Sequence, residues 1–120
     1  MNKEYFYIAN WKMYWTFDET IEFATKYYEE LLALASRPAK NIILCPSAPA
    51  LYPLAQMFKE TAVAIGAQDC SEHHAGSFTG QVSAQHLHSA GCTHCIIGHS
   101  ERRQLNAETS GTVAKKLEQL

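Results

Sequence analysis

The run Cys95-Ile96-Ile97-Gly98 is apolar and β-branched, stops at a glycine, and is followed at once by His99-Ser100-Glu101-Arg102-Arg103. An imidazole, a hydroxyl, a carboxylate and two guanidiniums thus gather where a buried strand ends. Strands apolar on both faces belong to parallel sheets covered by helices, and such sheets bind ligands beyond the carboxyl ends of their strands. Ser100 is placed to cap a following helix, which sets His99 beside the positive end of that helix and disfavours its imidazolium. The residues alone leave a second reading open: a histidine closing a strand beside a solvated Ser-Glu-Arg-Arg surface.

A second stretch, Tyr5-Phe6-Tyr7-Ile8-Ala9-Asn10-Trp11-Lys12-Met13, has the same form. Strand side chains alternate, so Asn10 and Lys12 share one face while Trp11 points to the other, between strand and helix. An amide and an ammonium therefore project together.

The rest of the chain repeats this alternation. Thr16-Phe17-Asp18-Glu19 matches a capping box, and Phe17, Ile21, Ala24, Tyr28, Leu31 and Ala35 then form one apolar helical stripe that ends near Arg37-Pro38. Asn41 to Cys45 reads as a buried strand stopped by Pro46, and Leu51 to Lys59 as a helix with Pro49 and Pro53 near its start. Ala62 to Ala67 is the third strand, with Ala64, Gly66 and the Gln68 amide on one face. Asp69 to Val82 has no period and is a loop of functional length. Ser83 caps a short helix ended by Gly91, Cys92 to Gly98 is the fourth strand, and Thr109 or Ser110 opens a last amphipathic segment carrying Val113, Leu117 and Leu120. Strand and helix alternate four times with short connections, the pattern of a parallel α/β sheet in a single domain over residues 1–120.

Net charge is −2, which disfavours nucleic acid and anionic membranes as partners, since both call for concentrated positive charge. No apolar run reaches the length of a membrane span, and Met1 to Glu4 carries no basic, apolar leader, so a cytoplasmic protein is expected. Cys92-Thr93-His94-Cys95 fits a C-x-x-C pattern, yet residues three apart on a strand face opposite sides, so neither metal nor cofactor is expected there. His86 and His88 diverge by roughly 200° on a helix and face solvent. Glu29-Glu30 and Lys115-Lys116 read as solvated helix faces.

Asn10-Trp11-Lys12-Met13 closing the first strand, with Gly98-His99-Ser100-Glu101-Arg102-Arg103 closing the fourth, resembles the triosephosphate isomerase family. Gly66-Ala67-Gln68-Asp69 and the stretch from Gly76 to Ala84 resemble that family's third strand and the long loop after it. The resemblance implies cofactor-free interconversion of dihydroxyacetone phosphate and glyceraldehyde 3-phosphate through an enediolate. It implies His99 as a neutral electrophile, Lys12 as the cation facing substrate phosphate and oxygen, and Asn10 as a substrate-binding residue that also holds the lysine. Ser100 and Glu101 match supporting residues. Glu101 is either an ion-pair partner that positions Lys12 or a purely structural carboxylate. Arg102 and Arg103 are structural in the family. Thr79 matches the loop that inserts beside Asn10 and Lys12 of a second subunit. Two residues depart from the pattern: Gln81 replaces a common glutamate, and Tyr14 is bulkier than the usual rim residue.

A (β/α)8 barrel takes roughly 250 residues, and this chain has 120. The expected fold is therefore the N-terminal (βα)4 half of a TIM barrel. The family's catalytic glutamate, closing loop and glycine-rich phosphate cradle map to none of these residues, so the chain alone is expected to have little or no activity. Its open edges ask for a partner, either a second copy or a complementary C-terminal half. The alternative function is a non-catalytic half-barrel that self-associates.

Overall fold

A computed structural model describes residues 3–120. Its sheet holds four parallel strands in chain order: β1 (Tyr5–Asn10), β2 (Lys40–Cys45), β3 (Val63–Ala67) and β4 (His94–Cys95). Register runs from Tyr5 opposite Lys40 to Asn10 opposite Cys45, then Ile42 opposite Val63, then Gly66 opposite His94. Helices α1 (Phe17–Lys26) and α2 (Tyr28–Ala35) follow β1, and α3 (Leu51–Met57) follows β2 through a 3-10 turn at Ala48–Ala50. After β3 comes α4 (Ala84–Ser89), and after β4 come α5 (Ser100–Leu105) and α6 (Ser110–Gln119). This is the expected (βα)4 half-barrel.

Local chemistry sets the helix ends. The Thr16 hydroxyl accepts from the Glu19 N–H at 3.3 Å and the Glu19 carboxylate accepts from the Thr16 N–H at 2.8 Å, so both halves of the capping box are made. Ser83 and Thr109 cap α4 and α6 through the hydroxyl alone, accepting the N–H of His86 and of Thr112. Gly91, with φ of +96°, ends α4 in the left-handed conformation.

The apolar stripe expected as one helix is divided at Tyr27, whose φ and ψ of −106° and 19° leave helical geometry, although hydrogen bonds from Tyr27 N–H to Phe23 and from Leu31 N–H to Tyr27 run through the break. Phe17 stands exposed, and the buried residues of α1 are Thr20 and Ala24, in a helix whose main contacts are with the 3-10 turn at Ala48–Ala50 and with α3. The fourth strand is shorter than expected. Only β3 flanks it: His94 and Cys95 pair with Gly66 and Ala67, and bonds from Thr93 N–H to Ile65 and from Ile96 N–H to Ala67 flank that two-residue ladder. Gly98, at φ of +65°, then turns the chain into α5; a Cβ there would stand 3.0 Å from Val113.

The core fills the layer between the outer sheet face and the helices, around the fully buried Leu54 and Phe58, with Tyr28 stacked on Phe58 at 5.2 Å. The other side is open. Phe6 and Ile8 on one face of β1 are 57% and 55% exposed, and Tyr5 and Tyr7 on the other are 49% and 50% exposed. A compact chain of this length has a radius of gyration of about 13.6 Å; this one has 14.9 Å, as an unclosed sheet requires. No helix of the described residues is long and apolar enough to cross a membrane.

Candidate active site

β1 ends at Asn10, so Lys12, expected in strand alternation with Asn10, lies two residues beyond it in a turn and takes a left-handed backbone, φ of 52°. Its N–H donates to Asn10 Oδ1 at 3.0 Å, and its carbonyl accepts from Gln68 Nε2 at 2.9 Å. Its Nζ meets Glu101 Oε1 at 2.7 Å. That hydrogen bond, and then the carboxylate's charge, raise the Lys12 pKa, and the same bond to Lys12 lowers that of Glu101. The sequence left two roles open for Glu101; the carboxylate is seated against the lysine.

His99 sits just past β4, at φ and ψ of −56° and 142°. The N-cap of α5 is His99 and not Ser100, a correction with a chemical consequence. Nδ1 accepts the Glu101 N–H at 3.1 Å, so a neutral imidazole carries its proton on Nε2, which is then the ring's donor. Glu101 Oε2 lies 3.7 Å from the same Nδ1. Ser100 opens the helix as an exposed residue.

Asn10, Lys12, Gln68, His99 and Glu101 line one cavity of about 470 Å³ at the carboxyl ends of β1, β3 and β4. Met13 and Tyr14, 94% and 81% exposed, form its rim. Thr79 lies in the exposed part of the loop after β3, outside this cavity. The base of that loop is ordered by Ser71, whose hydroxyl donates to Gln81 Oε1 and accepts from the His73 N–H. At its tip His73 stacks on Phe78 at 3.8 Å.

A larger cavity, about 690 Å³, lies between that loop and α6 and contains a cluster invisible in the sequence. Lys116 was expected on a solvated face. It is 4% exposed, and its ammonium meets Asp69 at 2.6 Å and also Glu108. Arg102 Nε completes the cluster, 3.0 Å from Asp69 and 3.4 Å from Glu108. Burial works to lower the Lys116 pKa, but the two carboxylates outweigh it and the net shift is upward. Leu117 and Leu120 of the expected apolar face are exposed instead. Arg103 donates to the Gly98 carbonyl and to Ser110, so both arginines are engaged in holding α5.

His86 and His88 are exposed. Cys92 is buried in the helix-side core and Cys95, half-buried, packs against the same core beside the thiol of Cys70. Burial pushes the Cys45 thiol up to about 11. The described residues contain no group of three or more His, Cys, Asp or Glu side chains arranged to hold a metal ion.

Gln68 is the residue that the sequence placed on the inner face but not in the site. Its signal was parity: Ala64 and Gly66 share a face of β3, and Gln68 follows in step just past the strand's end.

Comparison with known proteins points to one family. The triosephosphate isomerase family model matches residues 5–120. Triosephosphate isomerases of Aquifex aeolicus and Trichlorobacter lovleyi are 38% and 43% identical to it, over 91% and 90% of this chain and 43% and 42% of theirs. An L-erythrulose-1-phosphate isomerase of Pectobacterium atrosepticum is 39% identical over 88% of the chain and 41% of its own length. The crystal structure of triosephosphate isomerase from Bartonella henselae superposes with a TM-score of 0.81 at 31% identity, covering 95% of this chain and 46% of that one. The chain thus spans less than half the length of the relatives it matches, and it belongs to the triosephosphate isomerase family.

Proposed function

We propose that these 120 residues supply the electrophilic half of an isomerase site that interconverts dihydroxyacetone phosphate and glyceraldehyde 3-phosphate. The observation that carries the reading is that Lys12 and His99 line one cavity, with Glu101 touching both. Moving a proton between adjacent carbons puts charge on the two substrate oxygens, and a fixed cation with a neutral donor stabilises that charge as it develops. Lys12 faces the phosphate and an oxygen, and His99 donates to the oxygens. Asn10 binds substrate through the amide nitrogen left free by its bond to Lys12, while Ser100 and Glu101 support the arrangement. A carboxylate base at carbon comes from outside these residues, so the chain by itself turns over little or no substrate.

The open faces of β1 favour closure of the sheet by a complementary (βα)4 half or by a second copy of this chain. The loop bearing Thr79 serves contact with another subunit. The reading calls for phosphorylated sugars and no cofactor, and places the chain in the cytoplasm. A second substrate deserves a direct comparison, because the L-erythrulose-1-phosphate isomerase is as similar as several triosephosphate isomerases.

The test joins the chain to a complementary barrel half and compares kcat/KM for dihydroxyacetone phosphate and for L-erythrulose 1-phosphate. A higher value for the triose supports the proposal. A higher value for the tetrulose reassigns the substrate, and a folded assembly inert towards both overturns it.

A further inference from the structure

The left-handed Lys12 is a residue of the kind that needs an external hold, since side chains other than glycine rarely adopt that backbone. Its N–H is held within β1 by Asn10. Its carbonyl is held from another strand altogether. One Gln68 amide nitrogen donates to Lys12 O at 2.9 Å and to Cys45 O at 3.0 Å, so both of its protons are spent on the carboxyl ends of β1 and β2. Cys45 O also accepts from Trp11 N–H at 3.1 Å, which ties the turn before Lys12 to the same point.

We propose that Gln68 is the positioning residue for Lys12: by clamping the two carbonyls it fixes the left-handed turn that directs the ammonium onto Glu101. The proposal rests on the isomerase reading for its catalytic meaning, but its geometry stands apart from that reading. The chemistry demands an amide. Two carbonyl acceptors need one group with two N–H donors at the reach of a glutamine; a carboxylate would set oxygen against oxygen, and asparagine is one methylene too short to span both.

The groups facing the Lys12 ammonium are Glu101 and Tyr14, with His99 behind the carboxylate, and none of them changes in a Gln68 variant. The experiment is NMR on the full 120-residue chain, labelled at the lysine Cε and at side-chain amides. In the unsubstituted chain the Gln68 amide protons should exchange with water well below the rate of the exposed Gln56 and Gln104 amides. In Gln68→Met, of similar length but without donors, the Lys12 pKa should fall towards the ordinary lysine value as contact with Glu101 is lost, with amide shifts in α1 unchanged. A merely structural glutamine would lower the melting temperature and leave the Lys12 titration where it was; that result, or free exchange of the Gln68 amide in the unsubstituted chain, overturns the proposal. Where the methionine variant does not fold, the Lys12 titration is read in Gln68→Asn, whose shorter amide cannot span both carbonyls; an unchanged Lys12 pKa there overturns the proposal and a fall towards the ordinary lysine value supports it. None of these readouts uses turnover, so failure of the isomerase reading would appear separately, as an inert assembly with Lys12 still clamped.

Discussion

Replacing Lys116 by methionine tests the buried cluster. In the native chain Lys116 and Arg102 balance Asp69 and Glu108, two charges against two, with the Lys116 and Glu108 side chains 5% and 3% exposed. Lys116→Met leaves two carboxylates facing one guanidinium. Removing one member of a buried ion pair costs about 3–5 kcal/mol, because the partner is left charged and dry. A natural domain holds only about 5–15 kcal/mol in total, so this is a large fraction of the stability of an unclosed sheet. Urea unfolding followed by circular dichroism reads it: at a slope of about 1.5 kcal/mol per molar, a loss of about 3 kcal/mol moves the midpoint by about 2 M. The double variant Lys116→Met with Glu108→Leu restores balance, leaving Asp69 against Arg102, and should recover most of the loss. A midpoint unchanged in Lys116→Met, or a double variant weaker than the sum of its singles, would refute the reasoning. The pH dependence has a definite sign. The folded-state pKa of Lys116 is raised, so its contribution is fully present below the ordinary lysine pKa and is lost as pH rises through the higher folded value. Alkaline destabilisation should therefore be steeper in the native chain than in Lys116→Met.

Three further substitutions bear on separate parts of the account. Gly66→Ala puts a Cβ 2.8 Å from Cys45 Sγ and 3.2 Å from both His94 Cβ and Ile43 Cγ2, between strands that cannot part, and should cost about 1–3 kcal/mol in the same urea assay; a neutral result would mean the strands spread freely. Thr16→Ala removes the capping-box hydroxyl at the start of α1 and should cost about 1 kcal/mol, whereas Thr16→Ser should cost little. Glu101→Gln should lower the Lys12 pKa, measured by NMR titration, while hardly moving the unfolding midpoint, because the pair is largely solvated.

What was legible in the sequence was what local chemistry decides. The caps at Thr16, Ser83 and Thr109 and the stop at Gly91 depend on a few neighbouring residues; the alternation expected to carry Lys12 onto the face of Asn10 stops with β1 at Asn10, and Lys12 reaches the same cavity through a left-handed turn instead. The Gly-His-Ser-Glu-Arg-Arg stretch located His99 and Glu101, but the cap fell one residue from its expected place, because a histidine in extended conformation can accept a helix N–H as a serine does. The cluster around Lys116 escaped because its partner Asp69 lies 47 residues away in the chain, and a lysine beside another lysine reads as solvated until two carboxylates arrive from elsewhere. Gln68 escaped as a site residue for a similar reason: an amide on an inner face says nothing about which two carbonyls will converge on it. The length of β4 depended on a neighbour that these residues do not provide.

The most direct test of the central claim is a turnover assay on the purified 120-residue chain, alone and joined to the carboxyl-terminal half of a family barrel, with Lys12→Ala and His99→Gln variants of the joined protein. Negligible isomerisation by the chain alone, turnover in the joined protein and its loss in both variants are the predicted results. Robust isomerisation by the chain alone, or a joined protein whose activity survives loss of Lys12 and of His99, would contradict the assignment of this half of the site.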